Sequence, residues 1–200
     1  MKIGITGTIA SGKTTVGILL KRMGMPVFNC DQYARMVLEN NHPAFAEIIN
    51  AFGTDILDEA GEIDRKKLAS VIFSDEAKRK QLNDITHPYI RTGMLKFFDN
   101  VKDRKLIFAE VPLLFEAGWQ DLFDEIWLIT CRKETAVQRM MEMRDYSLQE
   151  AESRYAVQMQ NAPDAAQADI VIYNDGDLHD LNSEINRIIR TYRERIRNES

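Results

Sequence analysis

Cysteine, proline and glycine are all sparse in these 200 residues, which hold two, five and ten of them. Cys30 and Cys131 make no disulfide framework and have no metal-ligand spacing, so reduced thiols in a cytoplasmic protein are the expectation. Long apolar runs are missing too. Charges interrupt every one well short of the roughly 20 residues that span a bilayer, so no membrane span is expected. No signal-peptide pattern opens the sequence, because Lys2 and a phosphate-type motif precede any long apolar region. There is no basic excess: 26 Lys and Arg face 31 Asp and Glu for a net charge of −5, which argues against a protein that coats nucleic acid. No internal repeat or low-complexity linker occurs. What remains, 44% apolar and 28% charged residues, is an ordinary globular composition. At this length roughly 70% of the unfolded surface can be buried without a disulfide or structural metal.

Five short apolar runs stand out, at residues 2–6, 26–30, 106–109, 126–130 and 169–173. None alternates with polar residues, and helical patterns separate them. Continuous apolar strands between helices predict an α/β fold with a parallel sheet covered on both faces. More than 70 residues separate the second and third strands, too many for one crossover, and helical signals such as Leu68, Val71, Ile90 and Met94 fill them. A second helical insertion runs over about 131–160, with a capping box at Ser147 and Glu150. Leu181, Ile185, Ile188, Ile189, Tyr192 and Ile196 form one stripe of an amphipathic helix, with the tail arginines mostly off it. Met140, Met141 and Met143 read as packing residues.

The chemistry starts at Gly7-Thr8-Ile9-Ala10-Ser11-Gly12-Lys13-Thr14, which fits G-x-x-x-x-G-K-[ST]. The motif follows an apolar strand and opens a helix, the context in which backbone N–H groups and the helix dipole hold phosphate. Lys13 can reach the β- and γ-phosphates of a nucleotide, and the Thr14 hydroxyl can ligate Mg²⁺. No N/T-K-x-D guanine-reading motif follows. Asp58-Glu59-Ala60-Gly61 resembles a switch D-x-x-G but lies in a polar stretch and reads as a turn. The Ser-Gly-Gly signature of a transporter ATPase is absent as well. A phosphotransferase needs a base, and Asp31 ends the second strand, where ligands gather in an open parallel sheet. The same Asp31 could instead N-cap a helix beginning at Gln32. Glu110 ends the third strand and could contact Mg²⁺ through water. Residues 131–144 carry Arg132, Lys133, Arg139 and Arg144, cations that a closing lid would bring to the phosphoryl group; a plain surface helix remains the alternative. A small-molecule kinase, for example of a nucleoside, and a nucleotide switch protein both stay open at this point.

Together the motifs resemble the dephospho-CoA kinase family from Ile3 to about Ile188. The resemblance is carried by the phosphate loop and by Phe28-Asn29-Cys30-Asp31 with Ala34-Arg35. Further on come Phe52-Gly53, Gly61-Glu62-Ile63-Asp64-Arg65, Leu82-Asn83 with His87-Pro88, and Val111-Pro112-Leu113-Leu114-Phe115-Glu116. Gln138-Arg139, Arg144, Arg154 and Gln158 follow, and Ala168-Asp169 with Asn174 and Gly176 close it. It implies one P-loop kinase domain of three α/β/α layers, with a helical CoA-binding insertion at about 50–98 and a lid at about 131–160. It also implies phosphorylation of the ribose 3′-hydroxyl of dephospho-CoA by ATP with Mg²⁺, the last step of CoA synthesis, without nucleic acid, membrane or obligate protein partner. By position, Lys13, Asp31, Arg139 and Arg144 would be catalytic, and Thr14 a metal ligand. Ala10, Ser11, Gly12, Lys13, Thr14, Thr15 and Asn174 would bind ATP, Asn174 near the adenine. Thr8, Asp31, Arg65, His87, Leu113 and Glu116 would bind the acceptor. The sequence departs from the family pattern at Thr8 (usually glycine), Asn29 (an acid), Glu110 (most often Asp) and 159–167, which lacks a basic residue often found there.

Overall fold

The computed structural model describes residues 1–73, 75–160 and 165–198, apart from the Arg144 side chain. Two compact units make up the chain: Met1–Phe28 with Val101–Ser200, and Asn29–Asn100.

The first unit is built on a five-stranded parallel sheet. Its strands are β1 (Lys2–Gly7), β2 (Val27–Asn29), β3 (Ile107–Glu110), β4 (Glu125–Thr130) and β5 (Ile170–Tyr173), in the order β2-β3-β1-β4-β5. All five expected strands are present. Their unbroken apolar character follows from burial on both faces, and β1 at the centre is buried from Ile3 to Gly7. Gly4 is glycine because Leu114 and Phe123 press onto its side of β1, where a Cβ would lie 2.7 Å from Leu114 Cδ1. The opposite face carries Ile3, Ile5, Phe108, Trp127, Ile129 and Ile172 against α1 (Lys13–Arg22) and α8 (Leu178–Asn198). The stripe on α8 is the expected one, with Leu181, Ile185, Ile188, Ile189 and Tyr192 all buried.

Between β4 and β5 lie α6 (Lys133–Arg144) and α7 (Leu148–Met159), packed against each other around Val137, Met140 and Ala151. The capping box that starts α7 is present: Ser147 Oγ accepts from Glu150 N, and Glu150 Oε2 accepts from Ser147 N at 2.9 Å. Of the three methionines read as packing, only Met140 is buried. Met143 is 79% exposed and Met141 is exposed as well, and neither belongs to the buried cluster where α6 meets α7.

The second unit is helical, with α2 (Cys30–Val37), α3 (Ala44–Phe52), α4 (Arg65–Phe73) and α5 (Glu76–Asn100). The long α5 packs against the other three. Its Gly93 gives Tyr33 of α2 room, since a Cβ there would collide with the phenol ring. Asp58 accepts from the Ala60 and Glu62 amides, and Leu57 bridges Ile63, so the switch-like Asp58-to-Gly61 stretch is a tight turn.

In the sheet core, Trp127 Nε1 donates to Tyr192 Oη at 3.3 Å, and the Tyr192 hydroxyl donates to Glu125, which also pairs with Arg195. The phenol is pushed up to about 12, first by burial and then by its hydrogen bond to the Glu125 carboxylate. A tyrosine raised in the folded state contributes stability that is complete below its unfolded value of about 10 and is lost as pH climbs through the folded value. Tyr192→Phe leaves the buried Trp127 N–H without its acceptor and is expected to cost about 1–3 kcal/mol at pH 7. The variant should also lose less stability than the parent between pH 9 and 11. Urea unfolding followed by circular dichroism checks both; equal alkaline losses would remove Tyr192 as their source.

Candidate active site

The site begins where β1 runs out. Thr8 N donates to Ile129 O on β4, and a Cβ on Gly7 would collide with that same carbonyl, so only glycine lets the chain turn here. Ala10 and Gly12 take the left-handed region, at φ 54° and 95°, and coil residues 8–12 before α1 starts at Lys13. Gly12 sits at the N-cap of α1 with no side-chain cap, and the first turn carries no acid. Helix N-termini leave backbone N–H groups unpaired and carry the positive end of the dipole, so this end of α1 is suited to an anion.

Five side chains meet around the loop and the first turn of α1. The Lys13 ammonium donates to Gly7 O and Thr8 O at 2.9 and 2.8 Å, folded back across the loop rather than facing solvent. Thr14 Oγ1 donates to Glu110 Oε1 at 2.7 Å. Glu110 is only 2% exposed at the end of β3, and Gly17 on α1 makes room for its other oxygen. Asn174, buried just beyond β5, donates Nδ2 to Ser11 O at 2.8 Å. Arg139 on α6 reaches Ala10 O at 3.4 Å and Gly176 O at 3.2 Å. Lys13, Thr14, Asn174 and Arg139 are thus brought together, with Ala10, Ser11, Gly12 and Thr15 forming the loop and first helical turn. Thr8 is buried in the loop, and among the described residues its hydroxyl and that of Ser11 have no hydrogen-bond partner.

Beyond β3, Thr6 Oγ1 donates to Pro112 O at 3.2 Å, and Leu114 is fully buried. These two anchors turn Leu113 and Glu116 outward, both exposed. The remaining expected residues belong to the helical unit. Asp31 is exposed in the first turn of α2. It does not cap that helix: α2 starts at Cys30, and Asn29 Oδ1 accepts the Gln32 N–H at 2.7 Å. The capping alternative for Asp31 is therefore corrected. The residue that departs from the family acid does the capping instead. Arg65 is exposed at the start of α4, where Asp64 caps the Lys66 and Lys67 amides. Those two N–H groups hold the Asp64 carboxyl below its ordinary value. His87 is half-buried in α5, and burial pushes its imidazole down against the opposing pull of Asp84.

Two of the four cations counted on the 131–144 stretch are engaged elsewhere. Arg132 Nε lies 3.4 Å from Asp175, and Lys133 Nζ lies 3.1 Å from Glu152 of α7. Arg144 ends α6, and its side chain lies outside the described residues, as do residues 161–164 of the stretch that lacks a basic residue. Sequence reasoning passed over Asp175 altogether. Asn-Asp-Gly after a strand reads as a turn, and only the partners of Asp175, 43 and 40 residues away, single it out.

The chain is similar to proteins of one family. The dephospho-CoA kinase family model matches residues 1–180. The dephospho-CoA kinase of Shouchella clausii is 40% identical over 178 residues, covering 88% of this chain and 90% of that protein. The one from Bacillus cereus (strain ATCC 10987) is 38% identical over 192 residues, or 95% and 96% of the two chains. Among solved structures, dephospho-CoA kinase from Campylobacter jejuni has a TM-score of 0.70 at 29% identity, over 95% of this chain and 96% of that one. A shikimate kinase from Bacteroides thetaiotaomicron, at 14% identity and a TM-score of 0.53 over 96% and 97% of the chains, shares the fold alone. A phosphate loop of this build, in a chain matched from its first residue to residue 180, belongs to the dephospho-CoA kinase family.

Proposed function

We infer that this chain transfers the γ-phosphoryl group of ATP to the ribose 3′-hydroxyl of dephospho-CoA in the cytoplasm. The observation that carries this reading is the phosphate loop with its lysine, hydroxyl and buried carboxylate in register, in a chain of this family. In the reaction the 3′-oxygen bonds to the γ-phosphorus as the bond from phosphorus to the β,γ-bridging oxygen breaks. The hydroxyl proton leaves to a carboxylate, and ADP departs.

Lys13 moves its ammonium from the two loop carbonyls to the β- and γ-phosphate oxygens, where charge builds up as the bridge breaks. Arg139 stabilises the transferring group from α6, and Arg144 belongs to the same lid, formed by α6 and α7. Asp31, free of capping duty, is the base that takes the hydroxyl proton. The helical unit carries dephospho-CoA with Arg65 and His87, and Leu113, Glu116 and Thr8 line the acceptor side of the sheet unit. Thr14 and Glu110 suit Mg²⁺: a hydroxyl and a carboxylate in contact are hard oxygen donors. No cluster of three or more His, Cys, Asp or Glu among the described residues would cage a metal alone, which fits an ion held largely by phosphate oxygens. When bound, Mg²⁺ would draw charge from the β- and γ-phosphate oxygens.

A coupled assay of ADP release with ATP and dephospho-CoA tests the reading, with identification of the 3′-phosphorylated product. Lys13→Ala should lower kcat by at least about a hundredfold while the melting temperature holds; near-parental turnover would show that this loop does not hold the donor. Asp31→Asn leaves the Asn29 cap of α2 intact and keeps the side-chain shape. Its expected loss is about 10²–10⁴ in kcat, the range for general-base catalysis, with unchanged stability and ATP affinity. Activity within threefold of the parent would take the base role away from Asp31.

A further inference from the structure

The three residues after β5 each hold a different part of the site. Asn174 donates to Ser11 O of the phosphate loop, Asp175 accepts from the start of α6, and Gly176 O accepts from Arg139. We propose that Asp175 is a positioning residue for phosphoryl transfer: its carboxylate fixes the root and the roll of α6, and so the place from which Arg139 acts. The proposal rests on the kinase reading above.

Helix α6 has no cap of its own. Its N-cap position is Arg132, which makes no side-chain cap hydrogen bond. In α7 the same task falls to a local capping box, in which the third helical residue supplies the acceptor for the N-cap amide. In α6 the third helical residue is Thr135, which has no carboxylate. Asp175 supplies one from 43 residues away. Its Oδ1 accepts the Arg132 N–H and the Thr135 hydroxyl, each at 2.8 Å, and its Oδ2 lies 3.4 Å from Arg132 Nε. A carboxylate at a helix N-terminus also meets the positive end of the dipole. The Arg132 amide is the main cause that holds the Asp175 carboxyl below its ordinary value, so the latch is charged at neutral pH.

The grip is transmitted by helical spacing. Arg132 is the N-cap just before α6, and Thr135 and Arg139, at i and i+4, share one face of the helix. Holding the first two sets the direction in which the third points. Burial is the main cause that pushes the Cys131 thiol up, with Asp175 adding to it and Arg139 and Lys13 pulling against it.

The test is a double-mutant cycle in the full chain, with Asp175→Ala, Asp175→Asn, Arg139→Ala and the Asp175→Ala/Arg139→Ala pair. Asp175→Ala should lower kcat about tenfold and leave the KM for ATP within about twofold, the mark of an interaction that matters in the transition state. Asp175→Asn keeps an oxygen for both donors and should stay within about threefold of the parent. In the Arg139→Ala background, Asp175→Ala should cost less than about twofold, because residues acting through one another are not additive. The proposal fails if the tenfold loss persists without Arg139, if Asn is as damaging as Ala, or if only KM moves. Hydrogen exchange at the Arg132 amide needs no acceptor, and Asp175→Ala should speed it about tenfold or more; unchanged exchange would show that the latch does not hold. Parent enzyme that leaves dephospho-CoA unphosphorylated would overturn the kinase reading, and the exchange measurement would still judge the latch.

Discussion

The phosphate-binding end of this molecule depends on how β1 leaves the sheet. β1 is paired on both sides, with β3 and β4, and Gly7 passes so close to the Ile129 carbonyl that no side chain fits. The next amide then bonds to that carbonyl, and the loop cannot start anywhere else. From this fixed origin the positive φ at Ala10 and Gly12 brings the chain into α1, and Lys13 and Thr14 fall on its first turn. The flanking strands deliver the other groups. Glu110 closes β3 and meets Thr14, and Asn174 follows β5 and meets Ser11. The Glu110 and Asn174 contacts are therefore consequences of strand order, because parallel neighbours end on the same side.

The sheet was legible in the sequence for a simple physical reason. Strands buried on both faces cannot alternate, so five unbroken apolar runs between helical stretches had one economical arrangement. The phosphate loop was legible because its chemistry is local, with glycine and lysine at fixed spacing. The α8 stripe and the Ser147–Glu150 box were legible on the same terms. Long-range polar contacts carry no periodic signal. Asn29 and Asp31 are both good N-caps two residues apart, and only the backbone of α2 decides between them. Arg132 and Lys133 counted as lid cations by proximity along the chain, yet Asp175 and Glu152 claim them in space. Met141 and Met143 read as packing residues, whereas of the three methionines only Met140 joins the buried cluster of α6 and α7.

The two helices between β4 and β5 are started by different means, and the difference has a physical meaning. A capping box such as that of α7 is satisfied by the helix itself and persists wherever the helix goes. The N-terminus of α6 is satisfied from another element, so its local order depends on staying docked beside β5. Stability within a protein is not uniform, and a helix that borrows its cap is stable only in place. The segment that carries Arg139 is therefore tied at its root and held at its far end by packing around Met140 and Ala151.

Both tryptophans, Trp119 and Trp127, lie in the sheet unit, and the 72 residues from 29 to 100 contain none. Trp127 is sealed between Phe108 and Tyr192, with ring centroids 5.3 and 5.9 Å away. Intrinsic emission excited at the indole band is consequently a private reporter of the sheet. The helical unit is spectrally dark in that channel, although it supplies α2 to α5 and a large share of the far-ultraviolet ellipticity. The gap between an emission curve and an ellipticity curve, recorded on one sample, is thus a direct gauge of how independently the two units melt.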